Sequence, residues 1–238
     1  RLADRGGHEG PHLAAHPDRP VVVPLSPMQE TRLQNGHVVQ ADHALVLELP
    51  EVNPAVLAAA VLDVAERHEP LHSVLVPGAG SALGDPVALE TVEVGADDIR
   101  RRAYEIAQEP LDLTQRPGLR IMLLQNEAGE RLVLLVMHYW AVDEWSVVPL
   151  LTDLMGAAQA RAGAEAPEFA PLPLRYSDVA RWAVARRDAD DSAIASWRET
   201  LDGVPSRVSL PIALGESGSD AVAIDIDVDV VRALCSIE

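Results

Sequence analysis

The stretch HYWAVDEWS, residues 138–146, combines side chains that can move a proton or hold a charge. A histidine suits transfer of the proton of an attacking amine or hydroxyl, because its unperturbed pKa lies near neutral. A carboxylate on the same loop, here Asp143, can brace the loop by pairing with an arginine from another strand. The stretch therefore predicts a site for amide-forming or ester-forming chemistry.

The elements on either side place this stretch on a loop. Two apolar runs around residues 126–129 predict a hairpin whose second arm ends at His138. A helix is expected to begin near Ser146. The stretch then leaves a strand and enters a helix, a position where sheet-based proteins often place functional side chains.

The rest of the chain alternates between strand and helix patterns. Ser26 with Gln29 predicts the capped start of a short helix, and Asn53 opens a longer amphipathic one. Other apolar runs predict strands at HALVLELP, HSVLVP and ALETVEV, and periodic runs predict helices at DDIRRRAYEIAQ, YSDVARWAVARR and DSAIASWRETLDG. We expect an α/β fold in which helices flank a mixed β-sheet.

Composition removes several classes of function. The chain has 238 residues, of which 48% are hydrophobic, so it can bury a sizeable core. A formal net charge of −18 opposes binding to nucleic acid or to an anionic membrane. No export signal or membrane-spanning segment is visible, so a cytoplasmic location is expected. The single cysteine, Cys235, permits no internal disulfide.

Six short landmarks resemble, in order, the motifs of the condensation domains of nonribosomal peptide synthetases. Residues 26–33 resemble SxAQxRL, residues 67–73 resemble RHExLRT, and HYWAVDEWS resembles HHxxxDG. The remaining three landmarks resemble FDLxxGPLLR, YxDYAxW and WxxxLxGxPxxLxLP, and they lie at residues 110–120, 176–182 and 197–211. Each landmark is weak alone, but their shared order makes the resemblance specific.

This resemblance implies the fold of CoA-dependent acyltransferases, a V of two related lobes with the active site on the tunnel between them. Residues 21–213 would form the N-terminal lobe, after a flexible leader at residues 1–20. Residues 214–238 would form a linker and the start of the second lobe. The HYWAVDEWS loop is expected to face that lobe, so the chain is either a fragment or receives the lobe from elsewhere.

The resemblance also assigns catalytic-motif roles. The second histidine of HHxxxDG is the catalytic residue of the family, and Tyr139 stands in its place. His138 matches the first, structural histidine, and Asp143 matches the aspartate that braces the loop. Read without the resemblance, His138 is a buried strand-end histidine whose hydrogen bonds go to the backbone. A free tyrosine has a pKa of about 10, so Tyr139 is a poor base at neutral pH.

Residues around the motif receive supporting roles. Arg67 and His72 fall where the family has arginines, and Arg67 is the expected partner for the motif aspartate. Glu144 stands where the family has glycine, and with Trp145 and Ser146 it is expected along the substrate tunnel. The bulky indole of Trp145 is expected to form a pocket wall or to pack in the core.

The motif keeps its first histidine and its aspartate but has lost its second histidine and its glycine. This pattern is similar to that of the X domains of glycopeptide-antibiotic synthetases. Those condensation-like domains do not form peptide bonds and recruit cytochrome P450 oxygenases to a carrier-bound peptide. The implied partners are carrier domains with their phosphopantetheine and a P450, and no cofactor is expected on the chain itself. The alternative is an active condensation domain in which Tyr139 only positions the attacking amine.

Two further patterns contain residue types that can bind metals, but neither predicts a metal site. Three histidines recur every fourth residue near the start and would clamp a metal if helical, but the glycines and prolines among them argue against a helix: His8, His12 and His16. Asp225, Asp227 and Asp229 alternate along a predicted strand, which favours a solvated strand face over a calcium site. No metal site is therefore predicted.

Overall fold

The computed structural model describes residues 11–34, 43–47, 53–95, 98–189 and 191–205. It contains helices and two β-sheets, as expected for an α/β fold. Several parts of the sequence interpretation lie outside the described residues: positions 1–10 with His8, the end of the landmark at residues 197–211, the boundary at residue 214, the predicted strand of alternating aspartates, and Cys235.

A four-stranded mixed sheet carries the predicted hairpin at its centre. Its strands are ordered β2 (His43–Leu47), β7 (Arg131–Met137), β6 (Leu119–Asn126) and β5 (Leu89–Val94). The hairpin strands β6 and β7 pair antiparallel, and so do β2 and β7, whereas β5 pairs parallel to β6. Long apolar runs identify the two central strands in the sequence, because a strand buried on both faces carries apolar residues at every position.

Helices cover both faces of this sheet. On one face, Ile121, Leu123 and Leu135 pack against α2 (Pro54–Arg67) and α4 (Glu144–Ala162). On the other face, Met122 and Leu134 pack against α3 (Ile99–Ala107). Alternate residues of one strand thus enter two different cores, as the period of two in a β-strand requires.

Two charged contacts join α2 to α4 beside their apolar packing. Arg161 binds Asp63 through two nitrogens, at 2.7 and 2.6 Å, and Arg67 Nε lies 2.9 Å from Asp153 Oδ2. Paired guanidinium and carboxylate groups of this kind hold two elements in one register. The two helices are therefore braced against each other, and α4 begins at the end of the HYWAVDEWS loop.

A second sheet of three antiparallel strands includes two strands that the sequence does not predict. Its order is β1 (Val22–Val23), β4 (Gly80–Leu83) and β3 (Ser73–Val76). A Cβ at Gly80 would clash with the carbonyl oxygen of Val23, so only glycine allows β1 to approach this closely. Strands of two to four residues rich in small side chains give little periodic signal.

The segment at residues 11–20 corrects the prediction of a flexible leader for this part of the chain. It has no helix or strand, but it is held along α5 (Tyr176–Ala189). The backbone N–H of His16 donates to Asp178 at 3.0 Å, and Trp182 Nε1 donates to the carbonyl of Pro11 at 2.7 Å. Gly and Pro prevent regular structure in this segment, but its backbone groups still find partners on α5.

Two further helices complete the description. The short α1 (Pro27–Gln34) follows the predicted cap, in which Ser26 N–H donates to Gln29 Oε1 and Gln29 N–H donates to Ser26 Oγ. Helix α6 (Asp191–Thr200) follows α5, so the predicted helix pair is confirmed. The chain divides into two compact units, Arg1–Ile194 and Ala195–Glu238. None of the described helices combines the length and the apolar character that crossing a lipid bilayer requires.

Candidate functional site

His138 is fully buried at the end of β7, as predicted for a strand-end histidine with backbone partners. Its N–H donates to the carbonyl of Gly118 at 2.8 Å, and its Nδ1 accepts the N–H of Trp140 at 2.9 Å. An Nδ1 that accepts a hydrogen bond places the ring proton of a neutral imidazole on Nε2. His138 therefore shapes the turn that follows the strand.

Tyr139 and Glu144, the two residues that depart from HHxxxDG, contact each other. The Tyr139 hydroxyl donates a hydrogen bond to the Glu144 carboxylate. The guanidinium of Arg32 lies 4.0 Å from the centre of the Tyr139 ring, which is a cation–π geometry. One side chain from α1 and one from the start of α4 thus hold the tyrosine at the second position of the motif.

Asp143 caps the start of α4 and pairs with no arginine of the described ranges, which corrects the expected brace. Its carboxylate accepts the N–H of Ser146 at 2.9 Å, and the Ser146 side chain bonds back to the Asp143 backbone in a capping box. Arg67 is instead engaged by Asp153 and by the carbonyl of Ala170 at 2.7 Å. The helix accordingly begins at Glu144, two residues before the position expected from the sequence.

The opening landmark holds the HYWAVDEWS loop from the other side. Gln29 Nε2 donates to the carbonyl of Trp140 at 3.1 Å, and Ser26 Oγ lies 2.9 Å from the Tyr176 hydroxyl. Burial raises the pKa of Tyr176 above its usual value of 10; the Ser26 hydrogen bond opposes this shift, and the Asp143 carboxylate adds to it. Tyr176 is consequently a neutral hydrogen-bonding group at physiological pH.

Residues of the second landmark, at 67–73, also form hydrogen bonds and ion pairs with distant segments of the chain. The Glu69 carboxylate accepts the N–H of Ser177 at 2.7 Å and Arg19 Nε at 2.8 Å. His72, expected as support for the motif, has a buried Nε2 without a hydrogen-bond partner among the described residues. Burial lowers the pKa of His72, although the Glu69 charge opposes this shift. The structure therefore does not bring His72 or Arg67 to the motif aspartate.

A cavity of about 390 Å³ lies beside the loop, between the start of α4 and the residues that follow α2. Asp143, Trp145 and Ser146 are among the residues that line it, whereas Glu144 does not and turns to Tyr139. Trp145 is 87% exposed and forms part of the cavity wall, and Trp140 is buried in a separate apolar cluster. Of the expected tunnel residues, Trp145 and Ser146 thus line the cavity, whereas Glu144 contacts Tyr139.

Sequence reasoning missed His68, which also lines this cavity. Its Nε2 lies 2.7 Å from Asp153 Oδ2, the oxygen that Arg67 Nε also contacts. The sequence signal for His68 is its position between Arg67 and Glu69. Both neighbours bind other segments, and their contacts fix the orientation of the His68 side chain. Across the described ranges, no group of three or more His, Cys, Asp or Glu side chains is arranged to hold a metal ion.

Comparison with known proteins gives matches to a family model, to a curated relative and to solved structures. A family model described as Condensation domain matches residues 21–228. The isonitrile lipopeptide synthase of Mycobacterium tuberculosis (strain ATCC 25618 / H37Rv) is 33% identical over 218 residues, which are 82% of this chain and 9% of that protein. The chain therefore spans a small part of this relative's length.

Among solved structures, the X-domain from teicoplanin biosynthesis is similar with a TM-score of 0.75 and 29% identity, over 87% of this chain and 49% of that one. Its complex with OxyB gives a TM-score of 0.75 at 27% identity, over 89% of this chain and 50% of that one. The chain thus covers about half of each X-domain chain. These neighbours confirm a condensation-type, CoA-dependent-acyltransferase-like fold, and with the matched model they show that the chain belongs to the condensation-domain family of nonribosomal peptide synthetases.

Proposed function

We propose that the protein is a catalytically impaired, X-like condensation domain that holds a cytochrome P450 oxygenase beside a carrier-bound peptide. The observation that carries this proposal is the contact between the two altered motif positions, Tyr139 and Glu144. The lost histidine is replaced by a side chain that the neighbouring helix engages, while the surrounding joints between landmarks are kept.

The chemistry of the pair argues against general base catalysis by Tyr139. A free phenol is ionised to the extent of about one part in a thousand at neutral pH. The Tyr139 hydroxyl donates its hydrogen bond to the carboxylate of Glu144. Loss of general acid–base assistance typically lowers a rate by roughly 100- to 10,000-fold. An oxygen held in this way supports the structure of the loop better than it supports proton removal.

Binding to an oxygenase is proposed by analogy with the teicoplanin X-domain, which is similar to this chain and is described in a complex with OxyB. An X-like role needs an outer surface and does not need the catalytic histidine. The net charge of −18 favours a partner with a basic contact face, and attraction of this kind weakens as salt increases. Carrier domains, through their phosphopantetheine, would present the peptide to the bound oxygenase.

The deciding experiment measures two activities of the full-length protein in parallel. Calorimetric titration against P450 oxygenases and carrier domains encoded in the same gene cluster is expected to show salt-sensitive oxygenase binding. Tyr139→Phe is expected to leave that binding unchanged, because the removed hydroxyl is engaged within the loop. A condensation assay with loaded donor and acceptor carriers is expected to yield little product.

A second candidate function, peptide-bond formation, is favoured by one detail of the same contact. Because the Tyr139 hydroxyl donates its hydrogen bond to Glu144, the lone pairs of its oxygen could accept a hydrogen bond from the N–H of an attacking amine. Such a bond would position the amine. Robust product formation that disappears in Tyr139→Phe, together with no oxygenase binding, would establish this function and refute the X-like one.

A further inference from the structure

The cavity beside the HYWAVDEWS loop has apolar walls and one exposed aromatic ring. Leu71, Val142, Leu150 and two prolines contribute to its lining. Trp145 leaves 87% of its surface exposed at this cavity. Most of this indole ring makes no contact with the rest of the folded chain. Its free surface beside an apolar cavity can therefore contact a ligand. The volume of about 390 Å³ falls in the range of small-molecule sites.

Two of the three polar side chains at the cavity are already engaged with each other. The carboxylate of Asp143 accepts the N–H of Ser146 and also its hydroxyl. Both groups are therefore committed to the cap of α4. The hydrogen-bonding character of the cavity depends mainly on the third polar residue, His68.

His68 has a defined orientation. Its Nε2 lies 2.7 Å from the Asp153 carboxylate, which can only accept, so Nε2 carries a proton. In the neutral imidazole the other nitrogen, Nδ1, then carries the lone pair. Nδ1 makes no hydrogen bond in the described part of the chain, and a quarter of the side chain (25%) is exposed. In this tautomer His68, which lines the cavity, keeps one hydrogen-bond acceptor that no described group engages.

We infer that this cavity is a binding subsite for an aromatic side chain that carries one hydrogen-bond donor, with a phenol as the simplest example. The ring packs between Trp145 and the aliphatic wall, and its hydroxyl donates to Nδ1 of His68. Asp153 acts through His68 and is a positioning residue. The biological ligand, a side chain of the carrier-bound peptide, rests on the proposed function, but the subsite itself is testable without it.

The test compares two probes that differ by one hydroxyl, N-acetyl-tyrosinamide and N-acetyl-phenylalaninamide. Titration of the isotopically labelled protein, followed by NMR shifts of the Trp145 indole and the His68 ring, is expected to show saturable binding of both. The tyrosine probe is expected to bind about three- to tenfold more tightly, because one neutral hydrogen bond in a partly dry site contributes that much.

Matched variants assign the preference to one nitrogen. His68→Gln keeps a donor for Asp153 but removes the acceptor at the Nδ1 position, so the two probes are expected to bind equally. His68→Asn keeps an acceptor near the Nδ1 position, so the tyrosine probe is expected to retain its advantage. Trp145→Ala is expected to weaken both probes. Val148→Ala, on the same helix and 71% exposed but outside the lining, is the control and is expected to change neither.

Equal affinities of the two probes for the unaltered protein, or a Trp145→Ala variant that binds both as well as the parent, would overturn the inference. Non-saturable shifts would do the same. Saturable binding with the expected preference, in a protein that binds no oxygenase, would retain the subsite and refute only the proposed recruitment.

Discussion

At the scale of single residues, the two departures from the family motif form one local structure. Tyr139 donates to Glu144, and Arg32 covers the ring of the tyrosine. A histidine at 139 would not present its ring nitrogens where the phenol hydroxyl lies, and a glycine at 144 would remove the acceptor. The sequence identifies both positions as altered, but their contact depends on the turn between β7 and α4.

A double-mutant cycle measures this coupling. Tyr139→Phe and Glu144→Ala are each expected to lower the free energy of unfolding in urea, and the double variant is expected to lose less than their sum. The coupling is expected to be about 0.5–1 kcal/mol, because the hydrogen bond is charge-assisted but exposed. Tyr104→Phe, on a half-exposed tyrosine of α3, is the control. Strictly additive losses would mean that the pair contributes nothing.

His72 gives a prediction about pH. Burial lowers its pKa below the ordinary 6.5, and Nε2 has no partner in the described ranges. As the pH falls through 6.5, the unfolded chain therefore binds a proton before the folded protein does, so the free energy of unfolding decreases. His72→Leu is expected to make this decrease between pH 7 and 5 shallower in thermal or urea unfolding, whereas His12→Leu, on an exposed histidine, is expected to leave it unchanged. Parallel profiles for the parent and His72→Leu would contradict the shift.

At the scale of elements, local signals predict much of the structure and fail where a contact is distant. Caps at Ser26 and Asn53 and the long apolar runs of the hairpin give the right elements. Strands β1 and β4 escape prediction because they are short, and β4 begins with Gly80 and Ser81. The partner of Arg67 lies 86 residues away, on α4, and no local pattern specifies it.

The start of α4 is a different case, because its signal is present in the sequence. Asp143 followed three residues later by Ser146 is a capping pattern, whereas the resemblance to a braced loop predicts an arginine partner for Asp143. A cap needs an oxygen acceptor, whereas an ion pair needs a charge. The two interpretations therefore predict different results for the same substitution.

Substitution of Asp143 separates these interpretations. Asp143→Asn is expected to change the free energy of unfolding by only a few tenths of a kcal/mol, because asparagine caps helices about as well as aspartate. Asp143→Ala is expected to cost about 1 kcal/mol. Denaturant unfolding of the two variants provides the measurement. A large loss in Asp143→Asn, equal to that in Asp143→Ala, would restore the role of the carboxylate charge as a brace.

At the scale of the whole molecule, the retained landmarks act as joints between segments far apart in the chain. Glu69 connects the turn after α2 to α5, and Gln29 connects α1 to the HYWAVDEWS loop. Such joints keep the scaffold whether or not the domain makes a peptide bond. Under the proposed function, a change at Tyr139 and Glu144 alone would alter the chemistry without requiring a new fold.

Reversal of that change is the strongest test at this scale. Tyr139→His with Glu144→Gly restores the family residues at both altered positions, and the full-length protein is expected to gain condensation activity of roughly 100-fold or more over the parent, since general acid–base help has about that value. Tyr139→His alone is expected to gain less, because Glu144 keeps a charged side chain where the family has glycine and a substrate can approach closely. Product formation from loaded carriers, measured beside oxygenase binding, provides the result. A parent protein already as active as the double variant, or a correctly folded double variant with no gain, would show that these two residues do not limit condensation activity.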